Sequence, residues 1–108
     1  MTYNSCGKGW QKLCQMVQNQ VDYINERDKE KVEKIEILEM KEKFGFLDVS
    51  FSRYNDELTD LMRLVSTLST QICEDCGKPA KRFEVDGWYY TLCDDCYDKL
   101  KNRLKNGN

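Results

Sequence analysis

Histidine is absent from this 108-residue chain, and proline occurs once, at Pro79. Charge of one sign is lacking as well. Seventeen basic and 19 acidic residues leave a net charge of −2, a balance that argues against a polyanion-binding machine driven by bulk charge. Residues 1–70 carry ten basic and twelve acidic side chains and residues 71–108 carry seven of each, so neither half is a basic arm. No apolar run approaches the roughly 18 residues that a membrane span needs. The first residues, Met1-Thr-Tyr-Asn-Ser-Cys6, show neither the charged n-region nor the apolar h-region of a secretory leader. No glycine-rich phosphate loop and no serine or cysteine triad can be read, and no two carboxylates are placed in a shared pocket. An enzyme is therefore not expected, and no small-molecule substrate or membrane partner is evident.

Cysteine is what the chain does have. Two CxxC pairs, Cys73/Cys76 and Cys93/Cys96, stand sixteen residues apart. A CxxC turn lets two thiolates grip one metal from adjacent corners of a tetrahedron, and a second turn completes the shell. One structural Zn²⁺ held by Cys73, Cys76, Cys93 and Cys96 is the expected cofactor. Four sulfurs leave no open position for water or substrate, so the site reads as structural and not catalytic. With no leader in view, a reduced, cytoplasmic, metal-bound chain is a better reading than a disulfide scaffold. A chain this short buries a modest core, and metal binding can contribute on the order of 10 kcal/mol to folding a small module.

Residues 1–9 read as a loose lead-in, with Cys6 a surface thiol that has no partner in spacing. Trp10, Leu13, Cys14, Val17, Val21 and Ile24 then recur at helical intervals. Cys14 on that stripe is a small buried hydrophobe, and Trp10 is a core anchor. Residues 25–34 are a charge run that reads as a helix end and solvated connector. Alternation at Ile35 and Ile37 and again at Leu47, Val49 and Phe51 predicts a β-hairpin over 35–53. A phase slip between Ile37 and Leu38 suggests a bulge, and Lys41, Glu42 and Lys43 are placed at the turn. Residues 55–72 predict a second helix, capped by Asn55 or Ser52, with Leu58, Leu61, Met62, Val65, Leu68 and Ile72 on its apolar face. It runs into Cys73 without a flexible linker. The fold class is therefore α+β: an α-β-β-α half over 1–72 and a four-cysteine zinc module over 73–108 docked on it.

Within that module, Cys76-Gly77 suits a knuckle and Pro79 ends its turn. Asp86-Gly87 signals a two-residue hairpin turn, which places Phe83, Val85, Trp88, Tyr90 and Leu92 on one face that must be covered. Cys96, Tyr97, Leu100 and Leu104 lie along a helical stripe. Asp94 and Asp95 open that helix and Lys99, Lys101, Arg103 and Lys105 close it, matching the dipole. Knuckle, hairpin and ligand-bearing helix is a treble-clef arrangement. It is preferred over a zinc ribbon, in which the second pair would sit on another knuckle between strands.

Gly9-Trp10 with Leu13, Lys41-Glu-Lys-Phe44-Gly45-x-Leu47, Cys73-x-x-Cys76-Gly-x-Pro79 and Gly87-Trp88-x-x-Thr91-Leu92-Cys93-x-x-Cys96 together resemble a family of small zinc-finger proteins of bacteriophages, prophages and bacteria. The resemblance spans roughly residues 9–100. It carries a metal role onto the four cysteines and implies phage-linked biology, in which small proteins bind and redirect or inhibit a host macromolecule in the host cytoplasm. It supplies no reaction.

Two functions follow as expectations. The first is a zinc-stapled module that occupies the surface of a host protein, favoured by balanced charge and a surplus of aromatic residues. Burial is expected for Trp10 and Trp88, with Tyr89 the exposed contact. The second is nucleic-acid binding, with Lys78, Lys81, Arg82, Lys99, Lys101 and Arg103 gathered near the zinc and Tyr89 stacking on a base. Seven acids in the same segment weigh against it.

Overall fold

The computed structural model describes residues 3–4 and 6–105, and its elements follow the expected order. A short strand β1 (Tyr3–Asn4) precedes a 3-10 turn (Lys8–Trp10) and helix α1 (Gln11–Asp28). Strands β2 (Ile37–Lys43) and β3 (Phe46–Phe51) form the first hairpin, followed by α2 (Asp56–Ser69). Strands β4 (Lys81–Val85) and β5 (Trp88–Leu92) form the second, and α3 (Asp94–Lys105) closes the described chain. The fold is α+β, with a three-stranded sheet ordered β1-β2-β3 and a separate two-stranded sheet.

The helical stripe of α1 is its buried face: Leu13, Cys14, Val17, Val21 and Ile24 all point inward. Trp10 sits just before the helix, in the 3-10 turn, fully buried. Its indole N–H donates to the Ile72 carbonyl at 2.8 Å. The start of the chain is thereby tied to the residue before the first CxxC. Asn25 falls in the charge run that reads as solvated, yet it clamps the entry to the sheet. Its side chain bonds both the N–H and the C=O of Ile35, at 2.8 and 2.9 Å.

The phase slip in β2 is a bulge. Ile37 pairs with Phe51, whereas Glu39 pairs with Ser50, so Leu38 has no opposite number. The extra residue lets Ile37 and Met40 both face the core while Leu38 stays exposed. The turn differs from the expected one. Lys41, Glu42 and Lys43 belong to β2, and the turn is Phe44-Gly45 with φ of 51° and 82°. A charged run does not turn a chain, whereas these two left-handed angles do.

Helix α2 is capped by Asn55, whose side-chain oxygen accepts from Leu58 N–H at 2.8 Å. Ser52, the alternative cap, instead accepts from Glu36 N–H. The helix ends at Ser69, three residues short of the 55–72 span expected, and Ile72 forms an isolated bridge with Pro79. Ser69 is fully buried on the face otherwise marked by Leu58 and Val65. Its hydroxyl accepts from Leu47 N–H at 2.8 Å and donates to Ser66 C=O, while the Ser66 hydroxyl donates to Leu47 C=O at 2.9 Å. Strand β3 is an edge strand, and two serines of α2 satisfy the backbone polar groups of Leu47. Replacing Ser69 with alanine leaves the Leu47 N–H buried and unmatched. We expect a loss of about 1–3 kcal/mol in denaturant melts, against under about 0.5 kcal/mol for the exposed Thr67→Ala.

Candidate metal centre

Cys73 opens a knuckle. Its N–H donates to Lys78 C=O at 2.7 Å and its C=O accepts from Gly77 N–H at 2.9 Å. Gly77 takes φ of +85°, which a residue with a Cβ adopts only under strain. The other pair stands at the start of α3, where Cys93 C=O accepts from Tyr97 N–H and Cys96 lies in the first turn. Asp94 and Asp95 fill the same turn, at the positive end of the helix dipole. Knuckle, hairpin and helix thus follow in treble-clef order, and the second pair is not a ribbon's second knuckle.

These elements bring the sulfurs of Cys73, Cys76, Cys93 and Cys96 to within 4.8 Å of one another. Cys76 and Cys93 sulfurs are 3.6 Å apart. A tetrahedral ion with metal–sulfur bonds of about 2.3 Å spaces its ligands roughly 3.8 Å apart, so the donors fit a metal ion. Cys73, Cys93 and Cys96 are buried and Cys76 faces solvent. Burial opposes ionisation of Cys73, but backbone amides of Cys93, Cys76 and Asp75 outweigh it and bring the thiol down to about 7. Burial and the thiols of Cys93, Cys73 and Cys76 drive Cys96 upward. The Lys78 amide favours the Cys76 thiolate, yet lost hydration and the thiols of Cys93 and Cys73 raise it on balance. Cys73 ionises readily whereas Cys76 and Cys96 resist, the situation that a cation among them relieves.

The centre is seated on the rest of the chain by close backbone contact. Gly9 N–H donates to Glu74 C=O at 2.9 Å. A Cβ on Gly9 would lie 1.9 Å from the Cys73 carbonyl oxygen and 2.6 Å from Gly77 N. Glu74 also exchanges backbone and side-chain hydrogen bonds with Thr91 on β5, each 2.9 Å. Burial pushes its carboxyl up to about 7; the Thr91 amide opposes that rise while Glu42 and Asp75 add to it. The Gly9-Trp10 motif is visible in the sequence, but its function as a seat for the knuckle is not.

Both faces of the β4–β5 hairpin are occupied over most of their length. One packs Phe83, Tyr90 and Leu92 against Tyr97 and Leu100 of α3, with Phe83 edge-on to Tyr97 at 4.9 Å. The other meets the first hairpin's turn. Thr91, fully buried, donates its hydroxyl to Gly45 C=O, and the Arg82 guanidinium donates to Phe44 C=O at 2.6 Å. Tyr89 is half-buried here, with Arg82 4.2 Å over its ring and Phe44 edge-on at 6.4 Å. Trp88 lies beyond the cover of α3 and is 71 % exposed. The expected roles of the two residues are therefore exchanged: Tyr89 is held inside a cation–aromatic stack, and Trp88 is the bare ring.

The basic residues expected near the metal do not all stay available. Lys78 pairs with Asp95 at 3.7 Å, Lys101 pairs with Asp98 at 3.6 Å and lies over Tyr97, and Arg82 is bound to Phe44. Lys81, Lys99 and Arg103 are exposed. Cys6, expected as an isolated surface thiol, lies with its sulfur 3.0 Å from that of Cys14. The spacing of eight residues is not a metal or disulfide motif, which is why the pair was not legible. No helix among the described residues is long and apolar enough to cross a membrane.

Replacing Cys76 or Cys93 with serine should release the metal and unfold at least residues 73–105, read as lost metal content together with a lowered melting temperature. An unchanged melt would make the metal incidental. Gly9→Ala should cost about 1–3 kcal/mol in denaturant melts through the backbone overlap, with the cysteines themselves untouched. Comparison of the chain with protein families, with curated proteins and with solved structures finds no match.

Proposed function

We propose that this chain is a non-enzymatic binding protein, stapled by one structural zinc ion, that acts by occupying the surface of a host protein. An all-sulfur, four-coordinate, closed shell suits zinc. The resemblance to small phage and prophage zinc-finger proteins supports a partner in the host cytoplasm, and binding that inhibits a host process or defence.

The exposure of Trp88 carries this reading. Tryptophan is enriched at binding hot spots, and a large ring left in water on a rigid mount is what a partner's pocket can use. The mount is rigid because α3 packs on one face of the hairpin and the Phe44-Gly45 turn packs on the other. Little conformational freedom is then lost on association. Phe44, itself 58 % exposed, is a second aromatic group held by the same hairpin through Tyr89. Nucleic-acid binding is weaker as a reading, because Asp95 and Asp98 take up two of the lysines that would contact phosphate.

Trp88→Ala tests the proposal. The exposed site should tolerate the change with metal content and melting temperature unaltered. Affinity for a host protein that co-purifies with the wild type should fall about thirtyfold, the size of a 2 kcal/mol hot spot. Unchanged affinity in the variant, or tight salt-sensitive binding of the wild type to DNA or RNA instead, would reject the reading.

A further inference from the structure

The geometry points to a second sulfur site: Cys6 and Cys14 form a dithiol that a low-molecular-weight aliphatic disulfide, of the glutathione class, converts into an intramolecular disulfide. The two sulfurs lie 3.0 Å apart. That is too close for sulfurs sharing a tetrahedral ion, which stand roughly 3.8 Å apart, and closer than the 3.6 Å between Cys76 and Cys93 in the metal centre. A further approach of about 1 Å reaches the disulfide bond length of about 2.05 Å. Cys6 lies in the loop before the 3-10 turn and Cys14 in the first turn of α1, so the motion needed is a small shift of that loop.

The two thiols are unequal in a way that sets the order of reaction. Cys6 is partly exposed and Cys14 is 4 % exposed. The side-chain amide of Gln11 points toward Cys6, 3.7 Å from its sulfur. The Cys6 thiolate attacks one sulfur of the reagent RSSR, forms a Cys6–S–S–R mixed disulfide and releases RS⁻. Cys14 then loses its proton to solvent base and attacks the Cys6 sulfur, releasing the second RS⁻. The sum is two protein thiols plus RSSR giving one protein disulfide plus two RSH: the protein loses two electrons and the reagent gains them. Burial, and then the neighbouring Cys6, hold the Cys14 thiol up at about 12. The Cys6 share of that effect falls once Cys6 is a neutral mixed disulfide, so the first step promotes the second. In the zinc-loaded chain the four remaining cysteines are bound to metal and withheld from the exchange.

The test uses the zinc-loaded full chain and oxidised glutathione, followed by alkylation and mass spectrometry. The wild type should lose two hydrogens, keep its zinc, and give a non-reduced peptide that joins Cys6 to Cys14. Cys6→Ser should not react, and Cys14→Ala should stop at a glutathione adduct on Cys6. A wild-type adduct that persists without closing, a cross-link among Cys73, Cys76, Cys93 and Cys96 with loss of zinc, or no reaction would each overturn the proposal. Should Cys14→Ala fail to fold, the wild-type peptide map and Cys6→Ser decide the matter alone.

Discussion

Four sulfurs within 4.8 Å of one another cannot all carry charge unless a cation lies among them. The order of everything after Ile72 follows from that constraint. Strands β4 and β5 are five residues each, and a lone two-stranded hairpin is marginal in water. Helix α3 has 12 residues, near the lower limit for an isolated helix. Their shared apolar cluster beyond the cysteines consists of Leu92 and Leu100, with Ala80, Phe83, Tyr90 and Tyr97 partly covered. That is too little apolar surface to offset the ordering of residues 73–105. An ion held by the four cysteines would make knuckle, hairpin and helix a single object.

The four-cysteine segment is joined to residues 6–72 by polar contacts to backbone groups. Gly9 meets Glu74, Arg82 meets Phe44 and Thr91 meets Gly45. Each contact has a direction, so together they fix orientation where apolar packing alone permits sliding. The close approach at Gly9 adds a steric condition that no other residue type meets. The same contacts hold the Phe44-Gly45 turn, in which a bulky residue sits at positive φ. Its ring against Tyr89 and its carbonyl against Arg82 offset that local cost.

Element order, the β2 bulge, the Asn55 cap and the gathering of the four cysteines were legible because each is local. Periodicity, an Asx side chain three residues before an amide, and CxxC spacing all act within one turn or one strand. What escaped the sequence depends on residues far apart in it. Ser69 on an apolar stripe is explained by Leu47, 22 residues away. Phe44-Gly45 is a turn because of torsions that a Lys-Glu-Lys run hides. Trp88 and Tyr89 exchanged roles because alternation assigns faces, but only the length of α3 and the placement of the first hairpin decide how far each face is covered.

A tryptophan presents roughly 200 Å² of largely apolar surface, so leaving 71 % of it in water forgoes on the order of 3 kcal/mol of burial. Small domains have little stability in reserve, and one more turn of helix or a longer loop would recover the loss. The exposed charges at the hairpin tip are Glu84 and Asp86, whereas Lys81 and Arg82 lie toward its base, where Arg82 is held by Phe44 and Tyr89. Acidic groups beside an apolar ring repel a polyphosphate surface. The hairpin is thus held at its base by contacts to the Phe44-Gly45 turn and left uncovered at the end that carries Trp88.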